Sequence, residues 1–223
     1  MTNDQSYIRQ EIGWGFSVQW TLVSLGGWFA GVFAGQLVSS ILGMIIGLVV
    51  AGAVVGLAQW FGLRGRVNRA GWWIAATAAG VALAGSVGGV IVSVQILLPE
   101  TDQLPYVAVA TTGIEWLLIG GTLPGLCQWL ALRQWVDRAG WWIPGSALAW
   151  TAGIAVTGRL VSDLPDKVLR GGLDGFEAIV VGMTLTAALT GLLLRWLLQR
   201  LHPDAHPPFD DRWGSLSRKV GRK

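Results

Sequence analysis

The chain has 223 residues, 52% of them hydrophobic and only 13% charged, with a formal net charge of +3. Soluble domains carry about a quarter charged residues, so the composition argues against a soluble enzyme and for a helical membrane protein. One cysteine and two histidines leave no disulfide framework and no cysteine–histidine metal set.

In chain order, residues 1–13 form a polar N-terminus without the basic start of a cleavable leader, so the first apolar stretch is expected to stay in the protein. Apolar stretches follow at 15–35, 38–63, 72–98, 107–132, 141–160 and 175–198. Each is long enough to cross a hydrocarbon core of about 30 Å as a helix. The first two are separated only by residues 36–40, which predicts a tight helical hairpin there. Two basic connectors, 64–71 and 133–140, alternate with an acidic loop at 101–106 and a mixed one at 161–173. A basic tail, 201–223, follows. The expected architecture is therefore all-α, six transmembrane helices spanning 14–200. Thirteen of the sixteen Lys and Arg residues fall on one side of this arrangement, and the positive-inside rule puts that side, with both termini, in the cytoplasm.

The chain repeats itself. Gly56 to Trp73 reads GLAQWFGLRGRVNRAGWW and Gly125 to Trp142 reads GLCQWLALRQWVDRAGWW, with twelve of eighteen positions identical. A fainter third copy ends the last stretch, where Arg195-Trp196 stands for Gln-Trp and Gln199 for the leucine before the connector arginine. The unit is a pair of helices, present about three times. Within each connector, Gln59, Trp60, Arg64, Trp72 and Trp73, and equally Gln128, Trp129, Arg133, Trp141 and Trp142, read as an interfacial anchor. Tryptophan prefers headgroup depth and arginine reaches lipid phosphate. The same residues are candidates for a lipid-headgroup site.

These connectors resemble those of a group of bacterial membrane proteins known from cyanobacteria and Chloroflexi, built from tandem Gln-Trp-x-x-Leu-Arg…Ala-Gly-Trp-Trp helical pairs. The resemblance covers about residues 19–200. It implies an architecture and carries no activity.

Small residues recur at spacing four, as Gly27, Gly31 and Gly35, then Gly43, Gly47 and Ala51, a pattern that lets helix backbones approach closely. Of the ionisable residues within apolar stretches, Glu115, Arg159 and Glu177 lie toward the outer side. They predict either a structural ion pair or an outward-facing polar pocket. His202 and His206 lie among prolines in the tail, too few and too poorly arranged for a metal centre, and no catalytic motif stands out. No cofactor and no nucleic acid are expected. The expected function is non-enzymatic: an accessory or scaffold subunit packing against anionic lipids and other membrane proteins, or against itself. The alternatives are a small-solute or ion transporter, and a sensor of membrane state. The expected setting is a bacterial inner membrane or an internal photosynthetic one.

Overall fold

A computed structural model describes residues 13–67, 69–97, 117–162 and 174–199. The described residues are helical, with no strand among them. Helix α1 runs Trp14–Leu42, α2 Met44–Leu63 and α3 Trp72–Leu97. A π-helical turn, Leu117–Thr122, leads into α4, Leu123–Leu132. Helix α5 spans Trp142–Ser162, after a 3-10 turn at Ala139–Trp141, and α6 spans Asp174–Leu198. Four of these are long and apolar enough to cross a membrane: Trp14–Leu42, Met44–Leu63, Trp72–Ile91 and Phe176–Leu198. Large apolar side chains such as Val18, Leu22, Phe33, Ile41, Val90 and Leu148 face outward, as they do where lipid is the solvent.

The first turn differs from expectation. Residues 36–40 continue α1, and the chain reverses at Gly43, whose φ of 92° only glycine adopts without strain. Gly43 is therefore a turn residue and not a packing one, since a Cβ placed there would meet nothing within 4 Å. Serine 39, at the last turn of α1, accepts the Gly43 N–H through its carbonyl at 3.0 Å.

Each helix packs on its neighbours in sequence, and α6 returns to pack on α1, so the six close into a ring. Glycine makes the approaches possible. A Cβ on Gly31 would lie 2.7 Å from the Ala51 carbonyl oxygen, and one on Gly35 would lie 2.8 Å from the Ala51 Cβ. A Cβ on Gly27 would lie 2.7 Å from the Ala58 Cβ, and one on Gly47 would lie 2.6 Å from the Gly35 carbonyl oxygen. A Cβ on Gly121 of the π-helical turn would likewise lie 2.5 Å from the Ala147 Cα of α5.

The repeat is visible in three dimensions. In α2 the buried stripe is Gly47, Ala51, Gly52, Val55, Gly56, Gln59, Gly62 and Leu63. In α6 it is Gly182, Thr186, Ala187, Thr190, Gly191, Leu194, Leu197 and Leu198, at the same spacing throughout. Across the π-helical turn and α4 the stripe Gly121, Pro124, Gly125, Gln128, Ala131 and Leu132 fits the same frame. The structural equivalent of Gln59 and Gln128 is thus Leu194. The expected alignment through Arg195-Trp196 is one residue out of register. Burial decides this, because a one-residue shift rotates a helix by about 100° and would turn the arginine inward.

One end of the ring is closed. Phe16 and Trp20 of α1 pack there with Leu63, Val67, Ala70 and Trp73 of the first connector. Leu132, Trp135, Val136, Ala139 and Trp142 of the second join them, with Leu194, Leu197 and Leu198 of α6. Both connectors, the start of α1 and the end of α6 therefore share one end.

Substituting Gly31→Val forces α1 away from α2 and is expected to cost about 1–3 kcal/mol, the usual range for overpacking. Equilibrium unfolding in mixed detergent measures it, and an unchanged midpoint would contradict the close approach.

Candidate functional site: a polar axis through the bundle

An indole N–H inside a water-poor interior requires an acceptor. The ring supplies one for each of its three central tryptophans. Trp73 Nε1 donates to Gln59 Oε1 at 2.8 Å, and Gln59 Nε2 donates to Ser24 Oγ at 3.2 Å. Trp142 Nε1 donates to Gln128 Oε1 at 3.1 Å, and Gln128 Nε2 donates to Thr77 Oγ1 at 3.1 Å. Each clasp ties three consecutive helices, first α3–α2–α1 and then α5–α4–α3. The third copy is altered. With Leu194 in the glutamine position, Trp20 Nε1 donates instead to Thr190 Oγ1 of α6, at 3.3 Å. This bond links the last helix to the first. Ser146, the counterpart of Ser24 and Thr77, turns to the Gly121 carbonyl of the π-helical turn at 3.1 Å.

The three indoles stack edge to face, Trp20 on Trp73 at 5.7 Å and Trp73 on Trp142 at 5.6 Å. Two turns further along the axis, Trp28 meets Trp150 at 5.0 Å, also edge to face. Between these layers lies a cavity of about 30 Å³, bordered by Ser24, Gln59, Thr77, Gln128, Ser146 and Thr190. Such a space holds a single water with polar partners. Among the described residues no acidic, basic or histidine side chain borders it, and the groups that do are neutral hydroxyls, amides and indoles.

The predicted interfacial motif divides in two. Gln59 and Gln128 are each 7% exposed, and Trp73 and Trp142 are 0% and 1% exposed. These four face the interior of the bundle and not its outer surface. Trp72 and Trp141, at 59% and 60%, lie on the outside. Arg64 and Arg133 are exposed as well. Each arginine is stacked on the tryptophan that follows its glutamine, Arg64 on Trp60 and Arg133 on Trp129, both at 5.4 Å. Arg195 lies over Trp14 at 4.1 Å and Arg66 over Phe16 at 5.1 Å. The closed end is thus ringed by aromatic-backed cations.

The candidate polar pocket is only partly visible. Glu115 lies outside the described residues, as do His202 and His206. Arg159 and Glu177 are both exposed. Their helix ends are held level by Thr157, whose hydroxyl donates to the Ala178 carbonyl at 3.2 Å. Ser24, Thr77, Ser146 and Thr190 were not singled out from sequence. A signal existed for three of them: a tryptophan followed four residues later by a hydroxyl, at 20/24, 73/77 and 142/146. Ser17, at the position of Ala70 and Ala139, buries a hydroxyl with no hydrogen-bond partner among the described residues.

A closed helical ring with an apolar exterior and its polar groups paired along the axis defines a helical membrane protein. The chain matches no protein-family model, no curated protein and no solved structure.

Removing the amide by Gln59→Leu strands the Trp73 N–H and is expected to cost about 1–2 kcal/mol. Leu194→Gln rebuilds the missing clasp between Trp20 and Ser146, so it is expected to be tolerated, whereas Leu198→Gln buries an unpaired amide and is not. Unfolding midpoints of the three variants check this. Equal damage from both leucine substitutions would refute the threefold register.

Proposed function

We propose that this protein is a non-enzymatic, six-span membrane protein with both termini in the cytoplasm, acting as an accessory or scaffold subunit. The observation that carries the reading is the state of the polar axis. Its tryptophan, glutamine and hydroxyl groups bind one another across helices, and the space left between them is about 30 Å³. A bundle so arranged resists deformation and presents an apolar outer wall for lipid and for other membrane helices. The orientation rests on thirteen of sixteen basic residues lying on the side of the connectors and termini. The connector resemblance suits a bacterial membrane.

A second reading is a channel or transporter for a small solute. The axial cavity favours it, because hydroxyls and amides meet there in mid-bundle. In that reading the leucine and tryptophan cluster at the closed end is the gate, and Glu115, Arg159 and Glu177 belong to the entrance.

Gentle native extraction followed by size and mass analysis separates the two. The scaffold reading expects the protein to travel in a larger assembly with other membrane proteins. A homogeneous monomer that supports solute flux in liposomes would overturn it, and loss of that flux in Glu115→Gln would establish the transporter.

A further inference from the structure

On the outer wall between α1 and α2 runs an apolar groove of about 380 Å³, bordered by Val23, Gly26, Ala30, Leu57, Ala58 and Phe61. Small residues line it at Gly26, Ala30 and Ala58. In the threefold register one of the other two hairpins carries a leucine at each of these positions, Leu148 for Gly26, Leu83 for Ala30 and Leu193 for Ala58. A Cβ on Gly26 would meet nothing within 4 Å, so close helix packing does not account for this glycine. From Val23 to Ala30 the groove extends about 10 Å along the helix axis, at roughly 1.5 Å per residue.

The groove ends at Phe61, and a cation stands over that end. The Arg64 guanidinium lies 4.3 Å from the Phe61 ring centroid and 5.4 Å from that of Trp60. The Arg64 N–H groups, suited to a bidentate grip on phosphate, belong to an exposed residue. Its neighbour Arg66 is engaged within the protein, donating to the Gly62 carbonyl and to Gln19 Oε1. An apolar trough leading to an aromatic-backed guanidinium suits an amphiphile with an anionic head, and a phospholipid joins the two as acyl chain and phosphate.

We propose that the α1–α2 groove is a site for one anionic phospholipid from the connector-side leaflet, its acyl chain along Gly26 and Ala30 and its phosphate on Arg64. Arg133 lies over Trp129 in the same way but belongs to the second connector, away from the groove between α1 and α2. The proposal rests on the membrane reading and is independent of the scaffold role.

Native mass spectrometry of the full chain, titrated with phosphatidylglycerol and separately with phosphatidylcholine, tests it. Phosphatidylglycerol is expected to saturate one site that phosphatidylcholine fills poorly. Arg64→Gln and Gly26→Leu are each expected to weaken it about fivefold or more, while Arg133→Gln leaves it unchanged. Ala30→Leu is a second way to block the trough should Gly26→Leu fold poorly. Retention unaffected by either blocking substitution would overturn the proposal. So would equal losses in Arg64→Gln and Arg133→Gln, which would reveal general attraction to a basic surface.

Discussion

The bundle depends on finding an acceptor for a tryptophan N–H where water cannot provide one. Three indoles meet near the axis, and each must bond to something on another helix or forfeit a hydrogen bond in a medium where that loss is costly. The glutamines meet this demand twice, and a threonine meets it the third time. Because the amide has a second end, each glutamine also reaches back to a hydroxyl on the preceding hairpin or helix. The requirement of one side chain thus fixes the relative rotation of three helices.

Close packing and polar pairing support each other here. Lipid gives apolar side chains no incentive to leave it, so helix association in a bilayer rests on van der Waals fit and hydrogen bonds. The glycines on facing stripes let backbones touch, as at Gly31 on Ala51 and Gly121 on Ala147. That proximity brings Gln59 and Ser24 within bonding distance. Larger residues at the glycine positions would separate the helices and break the clasp. The polar pairs in turn fix the register, which a stripe of small residues alone leaves free to slide. Below this layer, the two connectors fold under the ring and seal it with leucine, valine and tryptophan.

Much of this was legible in the sequence, and the illegible part has a common cause. The helices, their order and the tandem repeat follow from apolar length and from the near-identity of residues 56–73 and 125–142. The turn at Gly43 was misplaced because residues 36–40 are polar enough to suggest a loop, while the decisive property, a left-handed φ, leaves no trace in hydropathy. From sequence, Gln-Trp and Trp-Trp read as interfacial throughout, at Gln59, Trp60, Trp72 and Trp73 and at their counterparts in the second connector. In fact the pair straddles the boundary, since adjacent residues on a helix point about 100° apart: Trp72 faces outward and Trp73 inward. The third repeat was aligned on identity, Arg-Trp with Gln-Trp, whereas the fold aligns it on burial, with Leu194 in the glutamine position. Partners such as Ser24 and Thr190 become evident only once the ring is closed, because closure brings residues 20 and 190 together.

Closure between α1 and α6 is the central claim, and a cross-link tests it most directly. Phe29 and Phe176 face each other across that seam, with ring centroids 5.6 Å apart. In a Cys127→Ala background, Phe29→Cys and Phe176→Cys are expected to be joined within one chain by a short bis-maleimide, in membranes and in detergent alike. Reaction of the two cysteines only between chains, or not at all while each is labelled singly, would mean that the hairpins form an open row and that the ring does not exist.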